Sequence, residues 1–451
     1  MDPGKELLSE SIVDLALADL EAGRLEQMHD AFQEMHPAEI AHLLEALPPT
    51  NRKEVWKLVP TELEGDIIAL LHDEARNSIL DRMESEEIVA AAENMEVEDL
   101  AEVIDALPGD ISESIMQSLD EDHRKRLEQV QSFDEGTAGR LMSTDVISVR
   151  EQVSLGVVLR WLRRHVSLPK HTDALMVIAD DRKYLGKLDM ADLVTGNPES
   201  LVRDVMRTDA EVVMTDMPVS DVAKLFERRD LVSVAALDED GYLLGRITID
   251  DVVDVILEEA DRVVMNSAGL VEEEDLFAPV IPSAKRRGVW LGINLVTVFL
   301  AAWVIGRFEE VLDKIVALAV LMPVVASMGG IAGSQTLTLT IRGLALDQIH
   351  HANIKWLTSK ELLVGVLNGM VWAVIVALVA FLWFMDEGIA LILGLAMVLN
   401  LVAAALSGVM IPMVLHRLGI DPALSGAVIL TTVTDIIGFL SFLGLASVFL
   451  L

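Results

Sequence analysis

Cysteine is missing from this chain altogether, which rules out disulfides and thiolate metal sites. Basic residues are scarce: 35 Lys and Arg stand against 72 Asp and Glu, for a formal net charge of −37. Phosphate would be repelled, so nucleic acid is excluded as a partner, and the acidic part is not expected to lie flat on an anionic leaflet. The opening MDPGKELLSE has no basic or apolar stretch of the kind a signal peptide needs, so no cleavable signal is expected. No GxxxxGK[ST] loop occurs, so ATP hydrolysis is not expected. The apolar segments hold no nucleophile–base pair and no metal-hydrolase motif, and an enzyme is not expected.

What is abundant is apolar sequence, and it is concentrated at the end. Residues 278–451 carry nine acids and nine bases, so the whole net charge belongs to residues 1–277. Five apolar runs predict spans over 289–305, 315–341, 362–384, 389–415 and 423–450, since about 20 helical residues cross a hydrocarbon core. Ala284–Gly288 (AKRRG) puts three bases beside the first run and places that side in the cytoplasm. The loops carrying Arg342, Lys355 and Lys360, and His416–Asp421, fall inside by the same count. The turn with Asp386 and Glu387 and the C-terminus fall outside, and Arg307–Lys314 is mixed. Trp290, Trp303, Trp356 and Trp383 fall near span ends, as interfacial anchors do. The expected location is a bacterial inner membrane crossed several times, with the acidic part cytoplasmic and lipid as the surrounding partner.

The last run, Pro422–Leu451, contains one ionisable residue, Asp435. A carboxylate at mid-bilayer costs about 3 kcal/mol or more. Two readings recover that cost: a protonated Asp bonded to a neighbouring helix, or a cation site in a wet path. Intramembrane acids are functional by default, and Thr431, Thr432 and Thr434 put hydroxyls nearby, which favours the cation site. In the second run, Gly329, Gly330, Gly333, Pro323 and Ser334 admit close helix packing or a bent or locally opened helix whose carbonyls line a path. Asn294, Asn368 and Asn400 read as interhelical glue, Pro412 as a bend, and His350 and His351 beside Asp347 as solvated.

Residues 1–135 read as short helices, with helical spacing in Ile12, Leu15, Leu17 and Leu20 and in Ile40, Leu43, Leu44 and Leu47. AEIAHLLEALPPTNRKEVWKLV resembles EDLAEVIDALPGDISESIMQSL sixty residues on, Pro48 answering Pro108, with Glu64–Leu80 between them as a half-period. Repeated helix pairs with Leu-Pro turns predict a small α-superhelix. Past Phe133–Thr144 the pattern changes to short β runs and helices in two copies, 136–200 and 201–257. Met142–Thr144 matches Met206–Thr208, and LGKLDMADLV from Leu185 matches LGRITIDDVV from Leu244. These units resemble a CBS-domain pair, a regulatory module whose cleft often holds a nucleotide or an ion; ATP stays open as a ligand there. Residues 248–277 follow as an acidic connecting helix, with Asp250, Asp254, Glu258 and Asp261 on one face and Asp251 and Glu259 beside it. Such like charges destabilise a helix unless a cation neutralises them.

A helical acidic domain, a CBS pair, an acidic connecting helix and five spans, in this order, resemble the MgtE family of magnesium channels. MPVVASMGGIAGSQ from Met322 and GIDPALSGAVILTTVTDIIGF from Gly419 carry the likeness. The resemblance implies a multidomain membrane protein: a cytosolic α-helical superhelix domain, a tandem CBS α/β pair and a five-helix transmembrane domain, assembled as a homodimer. It implies a Mg2+ path along the dimer axis, closed when intracellular Mg2+ binds the acidic domains. Asp435 matches the pore carboxylate; Gly329, Gly330, Ser334, Thr431 and Thr432 would line the path. Asp230, Asp250, Asp251, Asp254, Glu258 and Glu259 are the matched sensor acids, with Glu93 and Asp99 as their partners in the helical domain. Many relatives have asparagines where this chain has Ile331 and Ser334, so amide ligands do not carry over. The rival readings are a proton- or sodium-coupled transporter of a divalent cation such as Co2+ or Mn2+, and a membrane-anchored sensor that moves no ion.

Overall fold

The computed structural model describes residues 25–93, 95–164, 168–270, 276–346, 348–350 and 352–451. The pattern at Ile12–Leu20, residues 271–275 of the connecting segment, Asp347 and His351 lie outside the described residues. The chain divides into two compact units, one of residues 1–260 with 273–278, the other of residues 261–272 with 279–451.

The first unit opens with nine helices among the described residues, from Leu25–Glu34 to Glu121–Gln131. The repeat seen in the sequence is a repeat of turns. Pro48 and Pro108 each hold φ near −57° and ψ near 145° ahead of a helix, at Pro49–Trp56 and Gly109–Ser118. Leu43, Leu44 and Leu47 are buried in one core, Leu100 and Ile104 in the next. Beside the first of these cores Arg52 is buried and donates from Nε to Leu44 O at 2.9 Å and from a terminal nitrogen to Ser78 Oγ at 2.9 Å. We label Val97–Ala106 α1.

Two three-stranded sheets follow with one topology. In the first, β1 (Ser148–Arg150) runs parallel to β2 (Ala174–Ile178), which pairs antiparallel with β3 (Tyr184–Asp189). In the second, β4 (Val212–Met214), β5 (Ser233–Leu237) and β6 (Leu243–Thr248) repeat this order. Each central strand has its bulge at the same step, Val177/Ile178 and Ala236/Leu237. The matched tripeptides do matched work across the copies: Ser143 bridges to Arg246 on β6, and Arg207 bridges to Lys187 on β3. Gly186 and Gly245 make room for those crossings, because a Cβ would lie 2.2 Å from Arg207 O and 2.7 Å from Ser143 O respectively. From β6 the chain enters α2 (Ile249–Ser267).

The second unit holds five helices long and apolar enough to cross a membrane: α3 (Val280–Gly306), α4 (Ala317–Ala345), α5 (Ile354–Phe384), α6 (Glu387–Arg417) and α7 (Pro422–Phe449). α3 and α5 begin eight or nine residues before the apolar runs do, since a helix continues into polar sequence where hydropathy stops. Asp386 and Asp421 cap α6 and α7, accepting from Gly388 N and Ala423 N at 2.8 Å each. α6 is the central helix, packed by α5, α4 and α7. It admits its neighbours through small residues, as membrane helices do: Gly365 sits against Ala405, Gly369 against Val398, and Gly408 against Gly333 O and Thr336. Pro323 lies inside α4 and Pro412 inside α6, and both helices are continuous. The second span is thus helical from end to end rather than opened, save that Pro323 has no N–H to offer the carbonyl of Ala319.

Candidate functional site

α4 and α7 lie side by side, Gly333 against Leu430 and Gly426 against Leu337. Between them is a groove of about 960 Å3, lined on α7 by Thr431 and Asp435 and on α4 by Ser327, Gly330, Ile331, Ser334, Gln335 and Thr338, among others. The α4 residues recur at steps of three and four, so they form one helix face. The groove is open along its side, and Ile331 in its wall is 57% exposed. Among the described residues, neither a cation nor a hydrogen-bond donor meets the Asp435 carboxylate; burial is all that bears on it. The protonated Asp bonded to a neighbouring helix is thus not found. Thr431 Oγ1 donates to Ala427 O and Val428 O at 3.0 Å each, which leaves its oxygen able to accept. Ser334 Oγ does the same with Gly330 O at 2.8 Å.

Asp435, Thr431, Ser334 and Gly330 are therefore brought together, and two expected lining residues are corrected. Gly329 faces the opposite way, where a Cβ would lie 2.3 Å from the Asn400 side chain. Thr432 is off the groove and donates to Val428 O at 2.7 Å. Thr434 is fully buried. Of the three asparagines, Asn400 is buried between helices, while Asn294 and Asn368 lie on exposed faces. Ser327, Gln335 and Thr338 were missed, although helical spacing from Gly330 and Ser334 points to them. Glu361 was missed too: it is only 4% exposed, accepts from Thr336 Oγ1 at 3.2 Å, and pairs with Lys360 at 2.5 Å.

The acids of residues 1–277 gather elsewhere, within the first unit. Asp99 on α1 has its carboxyl pushed up to about 7 by burial and then by Glu96, Glu102 and Asp251. Its neighbour Glu98 is pushed up to about 7, chiefly by burial. On α2, burial and then Asp250 and Glu102 raise Asp254, and burial raises Asp251. Asp251 also has a structural task, accepting from Thr248 N and Oγ1 at 3.0 and 2.9 Å at the start of α2. Bases border the cluster: Lys170 pairs with Glu96 at 2.8 Å, His171 with Asp250 at 3.4 Å and Arg76 with Glu102 at 3.2 Å, and His72 acts on Asp254. Glu93 and Asp230 are exposed residues that end helices, and neither is among the charges acting most on Asp99 or Asp254. Glu258 and Glu259 lie further along α2, Glu258 exposed and Glu259 half-buried. Among the described residues, no three Asp, Glu or His side chains converge closely enough to hold a bare ion.

Known proteins carry the same elements in the same order. A family model described as MgtE, divalent cation transporter, matches residues 322–445, which include both walls of the groove. The MgtE intracellular N domain matches 35–136, and a CBS domain matches 202–258. This chain belongs to the MgtE family. "Magnesium transporter MgtE" of Thermus thermophilus is 29% identical over 438 residues, 96% of this chain and 97% of that one. The protein of the same name in Bacillus subtilis is 26% identical over 433 residues, 96% of each chain. Among solved structures, the cytosolic domain of the Mg2+ channel MgtE in complex with ATP is 26% identical, covering 54% of this chain and 99% of that one, with a TM-score of 0.49.

Proposed function

We propose that this MgtE-family chain is a Mg2+-selective path for magnesium uptake, closed from the cytosolic side when internal Mg2+ binds its acidic domains. The observation that carries the reading is the unpartnered Asp435 carboxylate in a groove open to the side. Among the described residues nothing offsets its desolvation, and a passing dication is a partner that would recover it. Mg2+ keeps several of its waters. A groove walled by a carboxylate, Thr431, Ser334 and Gln335 suits an ion held through those waters. A second copy of the chain across the open side would bring two Asp435 carboxylates to one axis, and we take the active unit to be that homodimer. With an inside-negative potential, a dication gains about 4.6 kcal/mol per 100 mV on entering, and no hydrolysis is required.

The regulatory ion has its own fit. Asp99, Glu102, Asp250, Asp251 and Asp254 repel one another when ionised, and a hydrated dication among them relieves that repulsion without inner-sphere ligands. α2 joins this cluster in sequence to the membrane unit. Internal Mg2+ closes the path to the extent that it binds the closed state better than the open one. Proton or sodium coupling and ATP at the CBS pair are outcomes of the same assay rather than premises.

The test is flux into liposomes by purified protein. The parent is expected to pass Mg2+ in proportion to the imposed potential, unmoved by pH or sodium gradients and by ATP hydrolysis. Asp435→Ala should drop flux to the protein-free level while the protein stays monodisperse. Undiminished Mg2+ flux in that variant, or flux that follows a proton gradient, would overturn the reading.

A further inference from the structure

Directly behind the groove stands Asn400, on α6. It is fully buried, at 0% exposure, and its Nδ2 donates to Val325 O on α4 at 2.8 Å. The reverse orientation would set its oxygen against that carbonyl, so the amide has one orientation here. Its Oδ1 meets no hydrogen-bond donor among the described residues. An aliphatic side chain would be cheaper at such a position.

What the amide does is geometric. A Cβ on Gly329 of α4 would lie 2.3 Å from Nδ2, and a Cβ on Gly438 of α7 would lie 2.8 Å from the same atom. Gly329 is the neighbour of Gly330, which opens on the groove, and Gly438 is one helical turn past Asp435. The two walls therefore press their bare backbones against one side chain close to the carboxylate. Beyond the other side of Asp435 along α7, α4 and α7 touch each other directly through Gly333, Leu430, Gly426 and Leu337.

We propose that Asn400 is a positioning residue whose amide sets the separation of α4 and α7 at Asp435, and through it the width offered to a hydrated dication. This rests on the transport reading of Asp435. Mg–O distances are about 2.0–2.1 Å and Ca–O distances about 2.3–2.6 Å. A spacer that holds the walls to within a few tenths of an ångström therefore bears on which hydrated ion fits. Asn400 touches no ion; it acts through the two glycines.

The test is a double-mutant cycle in full-length protein in liposomes, with two readouts. One is the ratio of Mg2+ to Ca2+ flux. The other is the rate at which a polar thiol reagent modifies Ser334→Cys, a unique thiol because the chain has no cysteine. Gly329→Ala forces a methyl onto the amide. It should lower the flux ratio at least threefold and raise the modification rate severalfold. Adding Asn400→Ala makes room for that methyl and should return both to within about twofold of the parent. If Gly329→Ala moves neither readout, or the double variant is no closer to the parent than the single, the proposal fails. If Gly329→Ala does not fold, Gly438→Ala with Asn400→Ala runs the same cycle on the other wall. Absence of ion flux in the parent would sink the transport reading alone, because the thiol rates still decide whether Asn400 sets the spacing.

Discussion

Asp99 keeps its proton to about pH 7 because burial works against its charge, as do Glu96, Glu102 and Asp251. A carboxyl raised in the folded state contributes stability while it is protonated, and loses that contribution as pH rises through the folded value. Without divalent ions, the full-length protein should therefore have a lower melting temperature at about pH 8 than at about pH 5.5. Millimolar Mg2+ should restore it at the higher pH and change little at the lower, where protons already occupy the cluster. Asp99→Asn should flatten the profile and weaken the Mg2+ effect, as read by thermal unfolding across pH. A melting temperature that rises from pH 5.5 to 8 without Mg2+ would contradict the crowding of these acids. At Asp435 the neighbours differ: among the described residues no second acid lines the groove, and the walls are hydroxyls, an amide and apolar groups.

Helix faces separate what could be read from the sequence from what could not. The two CBS-like copies were legible because Met142–Thr144 and Met206–Thr208 repeat, and their strands repeat the same bulge. The spans were legible from hydropathy and the cluster acids from their steps along α2. Which glycine of Gly329, Gly330 and Gly333 faces the groove was not, because that depends on Asn400 and Leu430, each far away in sequence. Thr432 and Thr431 differ by 100° around α7, and nothing local says which one faces α4. Thr248 and Asp251 stand at the spacing of a capped helix start, a role that the likeness of Asp251 to a sensor acid does not reveal. Asp421 makes a further test at this scale. It caps α7 through Ala423 N and holds Asn266 Nδ2 on α2 at 2.9 Å, both within the membrane unit. Asp421→Ala should cost about 1 kcal/mol of stability. Faster hydrogen exchange should follow in the first turn of α7 and around Asn266, with the middle of α6 unchanged. Slowed or unaltered exchange at both ends would deny the link.

Across the whole sequence, a net charge of −37 confined to residues 1–277 precedes a neutral membrane part. Self-repulsion of that size favours whatever conformation spreads the acids, and a dication at the cluster favours the one that gathers them. On the proposed reading the gate needs charge on the α2 acids and the membrane path does not, so the two are separable by mutation. Replacing Asp251 and Asp254 by alanine would confuse the matter, because Asp251 also accepts from Thr248 N and Oγ1. Asn keeps an acceptor oxygen at that place and removes the charge. Asp251→Asn with Asp254→Asn should therefore leave the melting temperature near that of the parent and leave Mg2+ uptake intact at low internal Mg2+. At high internal Mg2+, where the parent falls silent, the double variant should keep conducting at more than half its maximal rate. Liposomes loaded with graded Mg2+ read this directly. A variant that shuts at the same internal concentration as the parent would move the sensor away from this cluster and leave Asp435 and its groove untouched.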